Sequence, residues 1–155
     1  MTGRVYTVSI SGVASPAAAF DLFEFNPAAA KPIRLLRIRL AQTSEATTEE
    51  EQLALTIRRA NTTSGSGGSA PTPISLNSAD SAAGFTAETM NTTIATAGSP
   101  VVVMEDAWNT RAGYDMSFSP EEAPEAVNGE RLVVASAAPA DAVTIRGTAW
   151  IMEMA

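Results

Sequence analysis

Apolar residues recur at every second position along most of the chain. Tyr6, Val8 and Ile10 share one parity, with Thr7 and Ser9 on the other. Leu53, Leu55 and Ile57 face one way, and Gln52, Thr56 and Arg58 the other. Tyr114, Met116 and Phe118 alternate with Asp115 and Ser117, while Val143, Ile145 and Ile151 oppose Thr144, Arg146 and Thr148. A period of two is the signature of half-buried antiparallel strands, because successive side chains leave a strand on opposite faces. The pattern predicts strands at about 4–13, 19–26, 32–42, 51–61, 85–90, 100–106, 112–118, 130–137 and 142–154.

Turn chemistry separates these segments: Ser15-Pro16, Asn26-Pro27, Pro71 and Pro73, Gly98 to Pro100, Pro120, Pro124, Asn128-Gly129 and Pro139. Helix is reduced to two short candidates, Glu45–Glu51 and Asn77–Ala83. Eight or nine strands in 155 residues predict one all-β domain over 1–155. The expected architecture is an antiparallel two-sheet sandwich of jelly-roll or Greek-key type. The last strand is long, which places it at a sheet centre or a subunit seam. The run from Thr62 to Ser69 is rich in glycine and serine, and with Pro71 and Pro73 it predicts a flexible loop over about 62–73.

Composition narrows the function classes. Charged residues make up 17% of the chain against roughly 25% in an average domain, and small neutral side chains fill the gap. Such a surface loses little entropy when packed against a neighbour. Net charge is −7, and the acids gather in residues 60–155. This argues against nucleic acid, whose binding rests on clustered Lys and Arg. Lys31 is the sole lysine; arginine, with its fixed bidentate geometry, carries the rest of the positive charge and is favoured at interfaces. No apolar run is long enough for a membrane span. Met1 to Ile10 carries charge and alternates in polarity, so no secretory leader is expected and a cytoplasmic origin is the default.

The chain has no histidine and no cysteine, the two side chains most used for chemistry near neutral pH. Lys31 lacks the SxxK spacing of serine–lysine catalysis. Glu24, Glu88, Glu105, Asp106 and Asp115 are the carboxylates placed near strands, but no spacing fixes two of them at a glycosidase distance. The acidic runs Glu49-Glu50-Glu51 and Glu121-Glu122 with Glu125 lack the Asp/Asn and glycine spacing of a calcium loop. Neither a catalytic, a cofactor nor a metal site is predicted, and the expectation is a protein that is not an enzyme. Asn61-Thr62-Thr63 and Asn91-Thr92-Thr93 match the glycosylation pattern, but are read as strand ends whose side chains cap turns.

Two groups of residues are candidate contact surfaces. One is the arginine set Arg34, Arg37, Arg39, Arg58 and Arg59. Alternation through Leu36, Ile38 and Leu40 places Arg37 and Arg39 together on the outer face with Leu35. There they suit an acidic partner, such as the acid-rich half of another copy, or intrachain ion pairs. The other runs from Ala107 to Tyr114, where Trp108, Arg111 and Tyr114 cluster around a turn. These types are enriched at binding hot spots, and a core Trp closing one end of the sandwich fits equally well.

Several stretches carry a family resemblance: Val5-Tyr6-Thr7-Val8-Ser9-Ile10-Ser11-Gly12-Val13, Phe20-Asp21-Leu22-Phe23-Glu24-Phe25, the Thr62–Ser69 tract, Glu88-Thr89 leading to Asn91-Thr92-Thr93, Arg131-Leu132-Val133-Val134, and Ala138 to Ala142. With these the chain resembles short virion proteins of tailed bacteriophages and prophages. The resemblance implies a virion structural role, with synthesis in the bacterial host cytoplasm and a trimer or larger ring as the assembly. On it rests the leading expectation, a capsid decoration protein forming a homotrimer against the major capsid protein or other virion proteins. The alternatives are a head–tail connector component, or a carbohydrate-binding tail or fibre module that stacks a glycan on Trp108 and Tyr114.

Overall fold

The alternating segments form eleven strands: β1 (Arg4–Ala14), β2 (Phe20–Asn26), β3 (Ile33–Gln42), β4 (Gln52–Asn61), β5 (Ile74–Ser75), β6 (Thr86–Asn91), β7 (Val101–Asn109), β8 (Tyr114–Ser117), β9 (Glu125–Ala126), β10 (Arg131–Ser136) and β11 (Thr144–Glu153). They come from a computed structural model that describes residues 3–44 and 50–154, and no helix occurs among these. The nine predicted strands are all present. The two additional ones, β5 and β9, are two residues long, too short for a period to register. The helix candidate at Asn77–Ala83 is instead a turn: Asp80 N–H donates to the Asn77 carbonyl, and the Asn77 side chain accepts from Ala79 N–H. An Asx turn of this kind competes with helix for the same backbone groups. Most of the candidate at Glu45–Glu51 lies outside the described residues.

One sheet has the order β5-β1-β11-β3-β8, with β9 also pairing β3; the other has the order β6-β2-β10-β4-β7. The first four strands alternate between the sheets, and later strands return beside them in reverse: β7 on β4, β8 on β3, β10 on β2, β11 on β1. A long antiparallel ribbon has thus been rolled over on itself, which is the jelly-roll topology. β11 lies between β1 and β3, so its length is used on both sides for pairing.

The core is the set of inward parities read from the sequence. Tyr6, Val8, Ile10, Leu55, Ile57, Ile145 and Ile151 are all buried. Phe23 and Phe25 of β2 stack on each other, and Phe85 joins Phe25 to Tyr6 of the opposite sheet through two edge-to-face contacts. Each fully buried aromatic or aliphatic side chain of this kind contributes about 1.5–3 kcal/mol. In β3 the alternation slips. Trp150 pairs with Arg37 while Ile151 pairs with Leu35, so Leu36 is a bulge residue. Leu35 is therefore buried and Leu36 half-buried, a correction to the strict parity that put Leu35 outside with the arginines.

Candidate functional site

Arg37 and Arg39 do stand on the outer face of the β1-β11-β3-β8 sheet, because the bulge restores the parity after Leu36. Pairing across four strands sets the face out in rows. One row is Ser9, Thr148, Arg39 and Asp115; the next is Thr7, Trp150, Arg37 and Ser117. Arg37 is held firmly. Its Nε donates to Asp115 Oδ1 at 2.8 Å, its Nη2 to Oδ2 at 2.6 Å, and its guanidinium carbon lies 5.1 Å from the centre of the Trp150 ring. This bidentate contact keeps the Asp115 carboxyl below its ordinary range, with Arg39 reinforcing it at 3.6 Å.

Over the first of these rows the sheet carries a shallow depression of about 580 Å³, whose lining includes Arg39, Arg111, Arg146 and Trp150. Local geometry presents Arg111 there. The Asn109 side chain accepts from the backbone N–H groups of Arg111 and Ala112, and Gly113, at φ 79°, completes the turn from β7 into β8. Arg146 extends from β11 over Gly12, where the glycine's positive φ of 78° accompanies a break in the β1–β11 register.

The other sequence candidates are dispersed. Trp108 is not a surface residue: it is fully buried, and its Nε1 donates to Ser136 Oγ at 3.0 Å. It closes one end of the core, so it is unavailable as a glycan platform. Tyr114 faces inward at the sandwich edge and donates its hydroxyl to Asp106 Oδ2 at 2.9 Å. Burial first, and then this bond, push the phenol's pKa well above its ordinary value. Arg58 is no contact surface either. On the second sheet it reaches Asp21 Oδ1 at 2.7 Å and Asn61 Oδ1 at 3.0 Å, with 14% of its side chain exposed. Arg34 pairs with Glu125 at 2.8 Å, and Arg59 is exposed on β4.

Arg58 belongs to a layer that periodicity cannot reveal. The glycine–serine tract, expected as a flexible loop, lies along residues 89–96 and is pinned by reciprocal backbone hydrogen bonds between Thr63 and Thr96, Ser66 and Thr93, and Ser69 and Thr89. The strap and the segment it pairs with cover the carboxylates of β2. Glu24 accepts from Gly65 N–H at 2.8 Å and Asn91 Nδ2 at 3.2 Å, and Asp21 accepts from Ala95 N–H at 2.7 Å. Desolvation raises both carboxyl pKa values above normal, against the opposing pull of these hydrogen bonds and, at Asp21, of Arg58. The two Asn-Thr-Thr sites are built alike. Ala60 and Met90 adopt left-handed φ of 67° and 57°, and each following Asn bonds the charged side chain three residues back, Arg58 or Glu88. Both asparagines are buried.

The strap also decides what the carboxylates can do. Glu24 and Glu88 pair across β2 and β6 and share Asn91 Nδ2, but Glu24 is 2% exposed and covered by backbone. A substrate oxygen has no approach to it. Glu122 accepts from Ser119, Glu51 from Ala140 N–H, and Glu125 holds Arg34. Among the described residues no three acidic side chains converge on a common point. No protein-family model, curated protein or solved structure matches this chain.

Proposed function

We propose that the protein is a bacteriophage virion structural protein that acts through the contacts it makes: a capsid decoration protein working as a homotrimer on the shell. The observation that carries this reading is the β7 flank. β7 is nine residues long and, among the described residues, pairs only with β4, so its other edge offers backbone N–H and C=O groups for pairing. Val101, Val102 and Val103 are consecutive and exposed at 46%, 49% and 40%, so both faces of the strand are open there. Met104, Tyr114 and Phe118 lie partly uncovered against the adjoining core.

An apolar edge of this kind is a template for association unless something covers it. Charge protects only the second half of β7, through Glu105 and Asp106. Covering the valine half with a sister subunit or with the shell removes apolar surface from water. A trimer multiplies modest contacts per subunit through effective concentration, which is how such a protein cross-links capsomers under internal pressure. Jelly rolls serve as viral capsid domains as well as lectins and cupins, so the fold is compatible with this reading and does not select it.

The test is the mass of the native assembly, measured by light scattering, together with cosedimentation with purified phage shells that lack decoration. We expect an oligomer, shell binding, and loss of both in Val101→Lys/Val103→Lys protein that keeps its β-sheet circular dichroism spectrum. A strict monomer that fails to bind shells sinks the reading.

A further inference from the structure

We infer that the depression on the β1-β11-β3-β8 face is a binding site for a carboxylate-bearing saccharide. The charge distribution is the first support. The chain carries −7 overall, yet Arg39, Arg111 and Arg146 all line this one concavity, with Asp115 the one acid on its rim among the described residues. Arg111 and Arg146 have no carboxylate within ion-pair distance among the described residues, so their donors are available. Asp115 is already engaged by Arg37 through both oxygens.

Shape and chemistry supply the rest. The volume of about 580 Å³ falls in the range of small-ligand sites, and suits one or two sugar rings. The lining combines the indole of Trp150 with the hydroxyls of Ser9, Ser11 and Thr148. Aromatic faces take the apolar C–H face of a sugar, hydroxyls and guanidinium groups take its ring oxygens, and arginine forks match a carboxylate bidentately. Arg37, fixed between Asp115 and Trp150, holds the indole in place before any ligand arrives. A long polyanion such as nucleic acid is disfavoured, because the acidic remainder of the chain repels whatever extends beyond the depression.

The experiment is calorimetric titration of the intact protein with digalacturonate, with neutral digalactose as the control, at low and high salt. Expected are binding of the acidic sugar, at least about tenfold weaker binding of the neutral one, and weakening by salt. Arg146→Glu and Trp150→Ala should each lower the affinity by at least about tenfold, at unchanged assembly mass and circular dichroism. Arg146 is exposed, so its variant tests the site even where Trp150→Ala folds poorly. Equal binding of both sugars, displacement by inorganic sulfate at the same concentration, no binding, or occlusion of this face by a second copy would each overturn the assignment.

Discussion

Arg37 and Asp115 meet across β3 and β8 in a two-pronged contact, with both carboxylate oxygens accepting from one guanidinium at 2.8 and 2.6 Å. A planar fork is what makes this possible, so lysine is no equivalent. The contact is open to solvent, and its consequence lies in geometry and titration more than in stability. In Arg37→Lys protein the Asp115 carboxyl should titrate at higher pH than in the wild type, and Trp150 fluorescence should change as the planar guanidinium over its ring is replaced. The melting midpoint should barely move. An unchanged Asp115 titration, followed by carbonyl NMR, would contradict the coupling.

Trp108 is a core residue with one polar atom, satisfied by Ser136. Truncating it leaves a large cavity at the end of the sandwich and removes the donor to Ser136 Oγ, which keeps its own hydrogen bond to the Ala137 carbonyl. Trp108→Ala should cost about 3–5 kcal/mol, and Trp108→Phe about 1–3 kcal/mol, from lost volume and the lost hydrogen bond. Urea unfolding measures both. A cost near zero for Trp108→Ala would return the residue to the surface.

Gly65 and Gly68 of the strap lie where one backbone closely approaches another. A Cβ on Gly65 would strike the Thr93 carbonyl oxygen and the Asn91 side chain. Gly65→Ala is expected to destabilise by about 1–3 kcal/mol, the range for overpacking, while Ser66→Ala, at an exposed neighbour, should be near neutral. Hydrogen exchange of Thr93 and Thr96 N–H, both bonded to the strap, should rise in the first variant and stay unchanged in the second.

Glu24 has its pKa raised chiefly by burial under that strap. The folded state then holds the proton more tightly than the unfolded state does, so this group favours folding more as pH falls through its raised value toward the ordinary one. At neutral pH the same group reduces stability, because the charge must be kept in a desolvated place. Glu24→Gln removes the titration. The difference in unfolding free energy between pH 7 and pH 5 should shift against acid in the variant relative to the wild type. Parallel pH profiles would assign the effect elsewhere, first to Asp21, whose shift has the same sign and leading cause.

The sequence by itself determined nine of the eleven strands, most of their inward faces and the fold class. Strand periodicity is a local consequence of the pleat, and residues such as Tyr6, Leu55 and Ile151 cannot be exposed without losing apolar burial. It also placed Arg37 and Arg39 on one outer face. Tertiary structure alone decided which polar residues are inside. Arg58, Asp21 and Glu24 all lie on the outer side of their sheet, Asp21 because the β2–β10 register breaks at Leu22. Yet the strap and the segment around Ala95 cover the two carboxylates, and no local pattern reports what is laid over a face. The two tryptophans divide for the same reason. Trp108 suited a surface turn and the core equally well and fills the end of the core, whereas Trp150, in β11, stands beside Arg37 because the Leu36 bulge resets the register opposite it. Likewise, the convergence of Arg39, Arg111 and Arg146 on one depression joins β3, β11 and the β7–β8 turn. Only the rolled topology brings those segments together, since pairing between distant strands is set by packing across the whole sheet.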